Sequence, residues 1–498
     1  MATTPQAATC DFDVLIIGAG ISGIGAACHL KTRLPGKTFA VLDGRDVIGG
    51  TWSLFRYPGI RSDSDMPTFG FGFKPWTDKK TLADGQTIVD YVQEAATENG
   101  VDAHIRFGHR VVSADFSSAD NRWTVTVHRT DNDETETLTA RFLFSGTGYY
   151  DYKAGFTPEF AGIGDFAGQV IHPQQWPDDL DYAGKRVVVI GSGATAVTLI
   201  PAMADTAGHV TMLQRSPSYV FSLPAEDVIA DTLNKLIGPD RAYPIVRRKN
   251  IMLGRGLYKA CRRFPKLMRM LLMADMRRRL PKHFDVDTHF GPRYNPWEQR
   301  LCLVPSGDIF RTLSSGRASV VTDRIERFTK TGIRLQSGQQ LDADIVVTAT
   351  GLNLLPFGGI DFAVDGQPVN LAETTVFRSM MLSGVPNFAF AFGYTNIAWT
   401  LKVDLVSEHF CRLIEHMDAR GHTNVTPLLD DRTMPRVPMI DMSSGYIQRA
   451  IANFPHAGTA DPWTLAMAYE NDMERLSQGP IESPALRFTT AQSAALAF

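Results

Sequence analysis

The sequence contains no Cys-x-x-Cys pair. Its five cysteines, Cys10, Cys28, Cys261, Cys302 and Cys411, are odd in number and far apart. That excludes a disulfide framework, a thiolate metal cluster and a dithiol redox centre, and it fits a reducing compartment. There is also no apolar run of the roughly 18 residues that a membrane-spanning helix requires. Met1 to Asp11 lacks the basic and then apolar pattern of a secretory signal, so a cytoplasmic protein is expected. Charge of one sign is not in excess: a net charge of -3 over 498 residues gives no general attraction to nucleic acid. What is present, 44% hydrophobic and 21% charged residues, is globular. The length exceeds a single core and predicts two or three domains.

Two strand-to-glycine turns organise the chain. Phe12 to Ile17 reads as a strand entering Gly18-Ala19-Gly20-Ile21-Ser22-Gly23, followed by a helix over Ile24 to Leu34 and a strand over Phe39 to Leu42. Asp43 then stands where an acid would hold ribose hydroxyls. An acid there repels a 2'-phosphate, so this site suits FAD or NAD. Gly49-Gly50-Thr51-Trp52 and the loop Arg56 to Asp65, which contains Tyr57 and Asp63, add glycine, aromatic and charged groups that fit a ligand wall.

The second turn follows a strand over Lys185 to Ile190 and reads Gly191-Ser192-Gly193-Ala194-Thr195, opening a helix to Ala204. After the next strand, Val210 to Leu213, no acid appears; Arg215 and Ser216 do. A guanidinium and a hydroxyl suit a 2'-phosphate, so NADPH is expected in preference to NADH.

Further strands are expected at Ile105 to Val112, Arg122 to Val127, Ala140 to Ser145 and Asp344 to Ala349, with helices over Thr87 to Asn99 and about Val403 to Met417. Both Ala140–Ser145 and Asp344–Ala349 end in a glycine turn, one on each side of the second nucleotide fold. The expected fold class is therefore α/β, with two Rossmann-like dinucleotide-binding domains (FAD and NADPH), the second inserted into the first, and a helical excursion. The expected division is 1–150 and 341–498 for the first domain and 151–224 and 291–340 for the second. Residues 225–290 form a basic insertion rich in Arg, Lys, Leu and Met. Two readings of it stay open, a solvated helix face, which is favoured, and peripheral contact with an anionic membrane. It is expected to flank the substrate entrance, and the tail from Ser477 to drape over the surface.

One more segment, Phe166-x-Gly168-x-x-x-His172-x-x-x-Trp176-Pro177, lies between the two turns. Together with them it resembles the fingerprint of the Baeyer-Villiger monooxygenases, and in detail the actinobacterial subgroup typified by the ethionamide-activating monooxygenase. The resemblance implies FAD and NADPH as cofactors, O2 and a hydrophobic ketone or sulfide as substrates, and conversion of ketones to esters or lactones through a C4a-peroxyflavin. It implies that Arg300 stabilises the anionic peroxide, that Asp63 pairs with Arg300, and that His172 couples domain movement rather than acting as a base. The position before the arginine, often lysine in the family, is Gln299 here, which weakens the expected discrimination between NADPH and NADH. Two alternatives remain: a flavin monooxygenase acting only on nitrogen or sulfur, and a nucleotide-binding sensor without turnover. Oligomeric state is left open.

Overall fold

The computed structural model describes residues 10–465 and 467–490. Its first sheet has a parallel core in which Phe12–Ile17 lies between Phe39–Leu42 and Thr135–Ser145. Alternation along the first strand splits the core between two faces. Val14 and Ile16 join the helices Ile21–Arg33, Gly85–Glu98 and Thr400–Arg420, whereas Leu15 and Ile17 face the antiparallel meander His109–Ser117, Arg122–Arg129 and Thr135–Ser145. The strand Phe388–Phe390 returns from far along the chain to pair in parallel with Thr135–Ser145.

The second sheet is parallel throughout, in the order Ala318–Thr322, His209–Gln214, Arg186–Ile190, Ile345–Thr348, Gln169–Ile171. The strand expected to open the second part of the first domain at 341 therefore belongs to the inserted sheet. A short apolar strand ending in glycine reads alike in either domain, and only pairing decides between them. The return crossing comes later, where Leu352–Leu354 pairs antiparallel with Tyr150–Gly155 in a two-stranded ribbon joining the domains.

Three other expectations shift. The strand expected over Ile105 to Val112 breaks at Gly108, where φ is +68°. Ile105–Arg106 stays parallel to Phe39–Leu42 and His109–Ser117 turns into the meander. The first helix starts at Ile21, within the glycine turn itself. The tail is stitched down, Leu486–Thr489 pairing with Asn424–Pro427, while 491–498, like 1–9, lie outside the described residues.

Residues 225–290 form the helices Val228–Ile237, Pro239–Arg263, Pro265–Arg279 and Val286–Phe290. They bind both domains: Tyr243 enters the core of the first, and Leu272, Met273 and Met276 that of the second. Arg247 anchors the long helix, donating to the carbonyls of Pro67 and Thr68 and pairing with Asp404 at 3.0 Å.

Beside the long C-terminal helix, His409 Nδ1 donates to the Leu476 carbonyl at 2.8 Å. Burial, partly offset by that bond, lowers its pKa from 6.5 to about 4. The unfolded chain therefore binds a proton in this window that the folded chain does not. The contribution to stability is complete above pH 6.5 and is lost as pH falls toward 4. Between pH 7 and pH 5 this one group should remove about 2 kcal/mol. Urea unfolding of wild type and His409→Asn at both pH values measures it as the difference between the two pH slopes.

Candidate active site

Both glycine turns open onto one cavity of about 940 Å³. Gly20 and Gly193 occupy the N-cap positions of the helices Ile21–Arg33 and Ala194–Met203, and neither helix start is closed by a side chain. Free N–H groups and the positive end of each helix dipole thus meet the cavity at both ends, the arrangement that receives a pyrophosphate. Arg61, also on the wall, gives one guanidinium nitrogen to Asp308 at 2.6 Å, while its buried Nε and Nη2 have no protein partner. These residues fit two phosphate-bearing nucleotides.

The wall brings together Gly20, Gly50, Thr51, Trp52, Tyr57, Asp63, Gly191, Gly193, Ala194, Thr195, Arg215, Ser216 and Arg300. Gly18 and Gly23 stand behind it. A β-carbon on Gly23 would lie 1.8 Å from the Gly18 carbonyl oxygen, so their role is helix-to-strand packing, which lets the turn close. Asp43 is also off the wall. Its Oδ2 accepts from Ala19 N at 2.7 Å and its Oδ1 from Arg45 N at 2.9 Å, so the carboxylate buttresses the turn where a ribose contact was expected. Burial raises its pKa, those two bonds working in opposition. The basic insertion, expected at the entrance, contributes none of the wall residues, although a β-carbon placed on Gly254 would lie 3.8 Å from Ile397, which does.

Asp63 and Arg300 come from segments 237 residues apart and meet bidentately, Nε to Oδ2 at 2.6 Å and Nη2 to Oδ1 at 2.7 Å. About a third of each side chain, 34% and 32%, faces the cavity. The rest is enclosed by protein, with Tyr149, Tyr150 and Tyr446 near. Burial, the largest single effect, would lower the Arg300 pKa; the Asp63 charge and the three tyrosines together outweigh it and the pKa rises, so the cation is permanent. The same seclusion raises the pKa of all three tyrosines, which remain neutral donors. Three residues before Arg300, Trp297 has φ +68°, a left-handed conformation uncommon for so bulky a residue and of the strained kind found at functional sites.

Further bonds set the wall. Tyr57, its pKa pushed up to about 12 by burial, hydrogen-bonds Thr195 and so links the first-domain loop to the second turn. Thr51 Oγ1 and the Tyr152 hydroxyl lie 3.0 Å apart. Trp399 stacks on Tyr149 and donates its Nε1 to Ser22 Oγ at 2.8 Å. His172 accepts from Gln174 N through Nδ1 at 3.1 Å and donates from Nε2 to the Gly351 carbonyl at 3.0 Å. Burial lowers its pKa. With both nitrogens engaged, it ties the wall to the interdomain ribbon. Gly155 on that ribbon leaves room for the ring: a β-carbon there would sit 1.8 Å from His172 Cε1.

Sequence reading missed Arg324, Trp399, Tyr446 and Arg449, all on the wall. Arg324 carried a signal, since it follows a strand of the inserted fold just as Arg215 does. Tyr446 lies in a chain segment without nucleotide-motif spacing.

Two dinucleotide sites sharing one cavity, with the Arg300–Asp63 pair on its wall, define a flavoprotein oxidoreductase of the two-domain class. Residues 12–361 match the flavin-binding monooxygenase-like family, and the chain belongs to it. It is 52% identical over 484 residues to the FAD-containing monooxygenase EthA of Mycolicibacterium smegmatis, with 97% of this chain and 98% of the relative covered. In fold it is similar to a steroid monooxygenase in its oxidised, NADP-bound form, with TM-score 0.75, 21% identity and coverage of 96% and 99%. An open crystal structure of cyclohexanone monooxygenase gives TM-score 0.76 at 21% identity, covering 97% and 100%.

Proposed function

We propose that this flavin monooxygenase uses FAD, NADPH and O2 to insert one oxygen atom beside a ketone carbonyl, giving an ester or lactone, and that it also oxygenates sulfides or thioamides. The balance is ketone, O2, NADPH and a proton in; ester, NADP+ and water out. FAD, when bound, accepts hydride from NADPH and activates dioxygen. Gly20 and the free N–H groups after it would hold FAD with Gly50, Thr51 and Trp52; Gly191, Gly193, Ala194, Thr195, Arg215 and Ser216 would hold NADPH. The observation that carries the proposal is the Arg300–Asp63 pair on the wall shared by both turns.

Arg300 offers a fixed positive charge that cannot act as an acid at neutral pH, so it favours negative charge on a reacting oxygen without protonating it. Nucleophilic attack on a carbonyl carbon needs that charge, whereas sulfur oxygenation does not. Asp63 holds the guanidinium plane through two bonds and sets its direction. A nucleotide sensor has no use for such a pair, and this disfavours the reading without turnover. The test is product chemistry with NADPH and a hydrophobic ketone or an aryl sulfide. Ester and sulfoxide together are expected; sulfoxide with no ester from any ketone places the enzyme among nitrogen and sulfur oxygenases.

The basic insertion supports a second element of the reading, peripheral contact with an anionic membrane. Its outward surface carries Met252, Leu253, Phe264, Leu267, Met270 and Leu271, all about half exposed or more. Arg248, Arg262, Arg263, Lys266, Arg277 and Arg278 are exposed beside them. Apolar groups set among cations complement anionic headgroups, and a second copy presenting the same face would be repelled. Co-sedimentation with phosphatidylglycerol vesicles but not phosphatidylcholine vesicles is expected, weakened by salt and by Phe264→Ser combined with Arg263→Gln. Equal recovery with both vesicle types, or a dimer lost in the variant, contradicts it.

A further inference from the structure

The strands His209–Gln214 and Ala318–Thr322 are parallel neighbours, with Gln214 level with Thr322. They end at the same edge of the sheet, the edge at which open α/β sheets receive nucleotides. The first runs into Arg215-Ser216 and the second into Asp323-Arg324. Asp323 N donates to the Gln214 carbonyl at 3.0 Å, fixing the two loops against each other. The Ser216 carbonyl accepts from Ser192 Oγ at 2.8 Å, tying this corner to the second glycine turn. Arg215, Ser216 and Arg324 all line the cavity and are exposed to it.

Among the described residues neither arginine forms an ion pair. The nearest acid in sequence, Asp323, is occupied by its own loop. Oδ1 accepts from Arg324 N at 2.6 Å and Oδ2 from Ser337 N at 3.2 Å. The bonds from Ser337, together with that from Arg324, hold its carboxyl below the usual range despite the opposing effect of burial. Gln299, also on the wall, brings no charge. Two guanidinium groups without an ion pair among the described residues thus stand at the ends of adjacent strands, in a corner where the Asp323 carboxylate is already bonded to the backbone N–H groups of Arg324 and Ser337.

We propose that Arg324 is the second cation for the 2'-phosphate of NADPH, acting with Arg215 and Ser216 and replacing the charge that Gln299 does not supply. A phosphomonoester carries close to two negative charges at neutral pH, and one solvated arginine neutralises only part of that. Two forks from neighbouring strands grip its oxygens from two sides and discriminate against a bare ribose hydroxyl. The inference rests on reading the second turn as the NADPH site. The alternative role for Arg324, stacking flat on the adenine, would serve NADPH and NADH equally.

The experiment is calorimetric binding of adenosine 2',5'-bisphosphate and of 5'-AMP to the flavin-loaded enzyme, which needs no turnover. Wild type should prefer the bisphosphate. Arg324→Ala should weaken bisphosphate binding about tenfold and leave 5'-AMP unchanged. Arg324→Lys should keep most of the preference, and Gln299→Lys added to Arg324→Ala should restore part of it. Equal weakening of both ligands means stacking and overturns the inference, as does an unchanged preference in Arg324→Ala. A wild type that does not distinguish the two ligands overturns the NADPH reading itself and the inference with it.

Discussion

Replacing Arg300 by alanine should reduce oxygenated product by about 100- to 1,000-fold, the cost of removing one preorganised electrostatic stabiliser. NADPH should still be consumed, with electrons leaving as hydrogen peroxide, because the glycine turns and Arg215 lie elsewhere on the wall. The measurable signature is the ratio of product to NADPH oxidised, with peroxide rising to account for the deficit. Arg300→Lys should not restore it: a lysine keeps the charge but not the two parallel bonds to Asp63. Asp63→Ala should act in the same direction but more weakly. It leaves the cation in place, aimed by the surrounding tyrosines alone. A variant that loses product and NADPH oxidation equally, with flavin retained, would place Arg300 in hydride transfer or nucleotide binding instead.

The largest loss of stability should come from Asp472→Ala. Asp472 and Lys402 form an ion pair with 0% side-chain exposure on both sides. Tyr394 donates to Asp472 Oδ2 at 2.7 Å, and Ser379 Oγ approaches Oδ1 at 3.5 Å. Removing the carboxylate strands an ammonium in the interior, which costs about 3–5 kcal/mol. Burial already lowers the Lys402 pKa, with Asp472 opposing the effect, so in the variant the lysine should lose its proton more readily. Pairing the change with Lys402→Met should recover most of the stability, because no buried charge is then left unpaired. Thermal unfolding of wild type, single and double variants measures this. Since Tyr394 reaches the cavity wall, the single variant should also raise KM for the organic substrate.

The nucleotide turns were legible because their chemistry is local: a strand, three glycines and a helix start fix the backbone within about a dozen residues. The Arg300–Asp63 pair was legible only through resemblance, because nothing in the spacing of residues 237 apart predicts contact. Asp43 shows the converse. Its position after the second strand is the motif position, yet its oxygens bond Ala19 and Arg45 within its own loop. Motif spacing places a residue but does not aim its side chain. The strand Ile345–Thr348 was assigned to the wrong sheet for a similar reason, its apolar run being compatible with either core. Tyr446 and Trp399 reach the wall by tertiary packing alone, and Lys402 lies just before the helix expected from Val403, with nothing local to mark it as buried.

The central claim is that one atom of O2 is delivered to a carbonyl compound in the cavity shared by both nucleotide turns. It is tested most directly by turnover with NADPH, a hydrophobic ketone and 18O2, followed by mass spectrometry of the product. The account predicts an ester or lactone carrying one 18O atom, one NADPH oxidised per product, and collapse of that ratio in Arg300→Ala. Unlabelled product, or hydrogen peroxide as the sole oxygen product across ketones and sulfides, would contradict it.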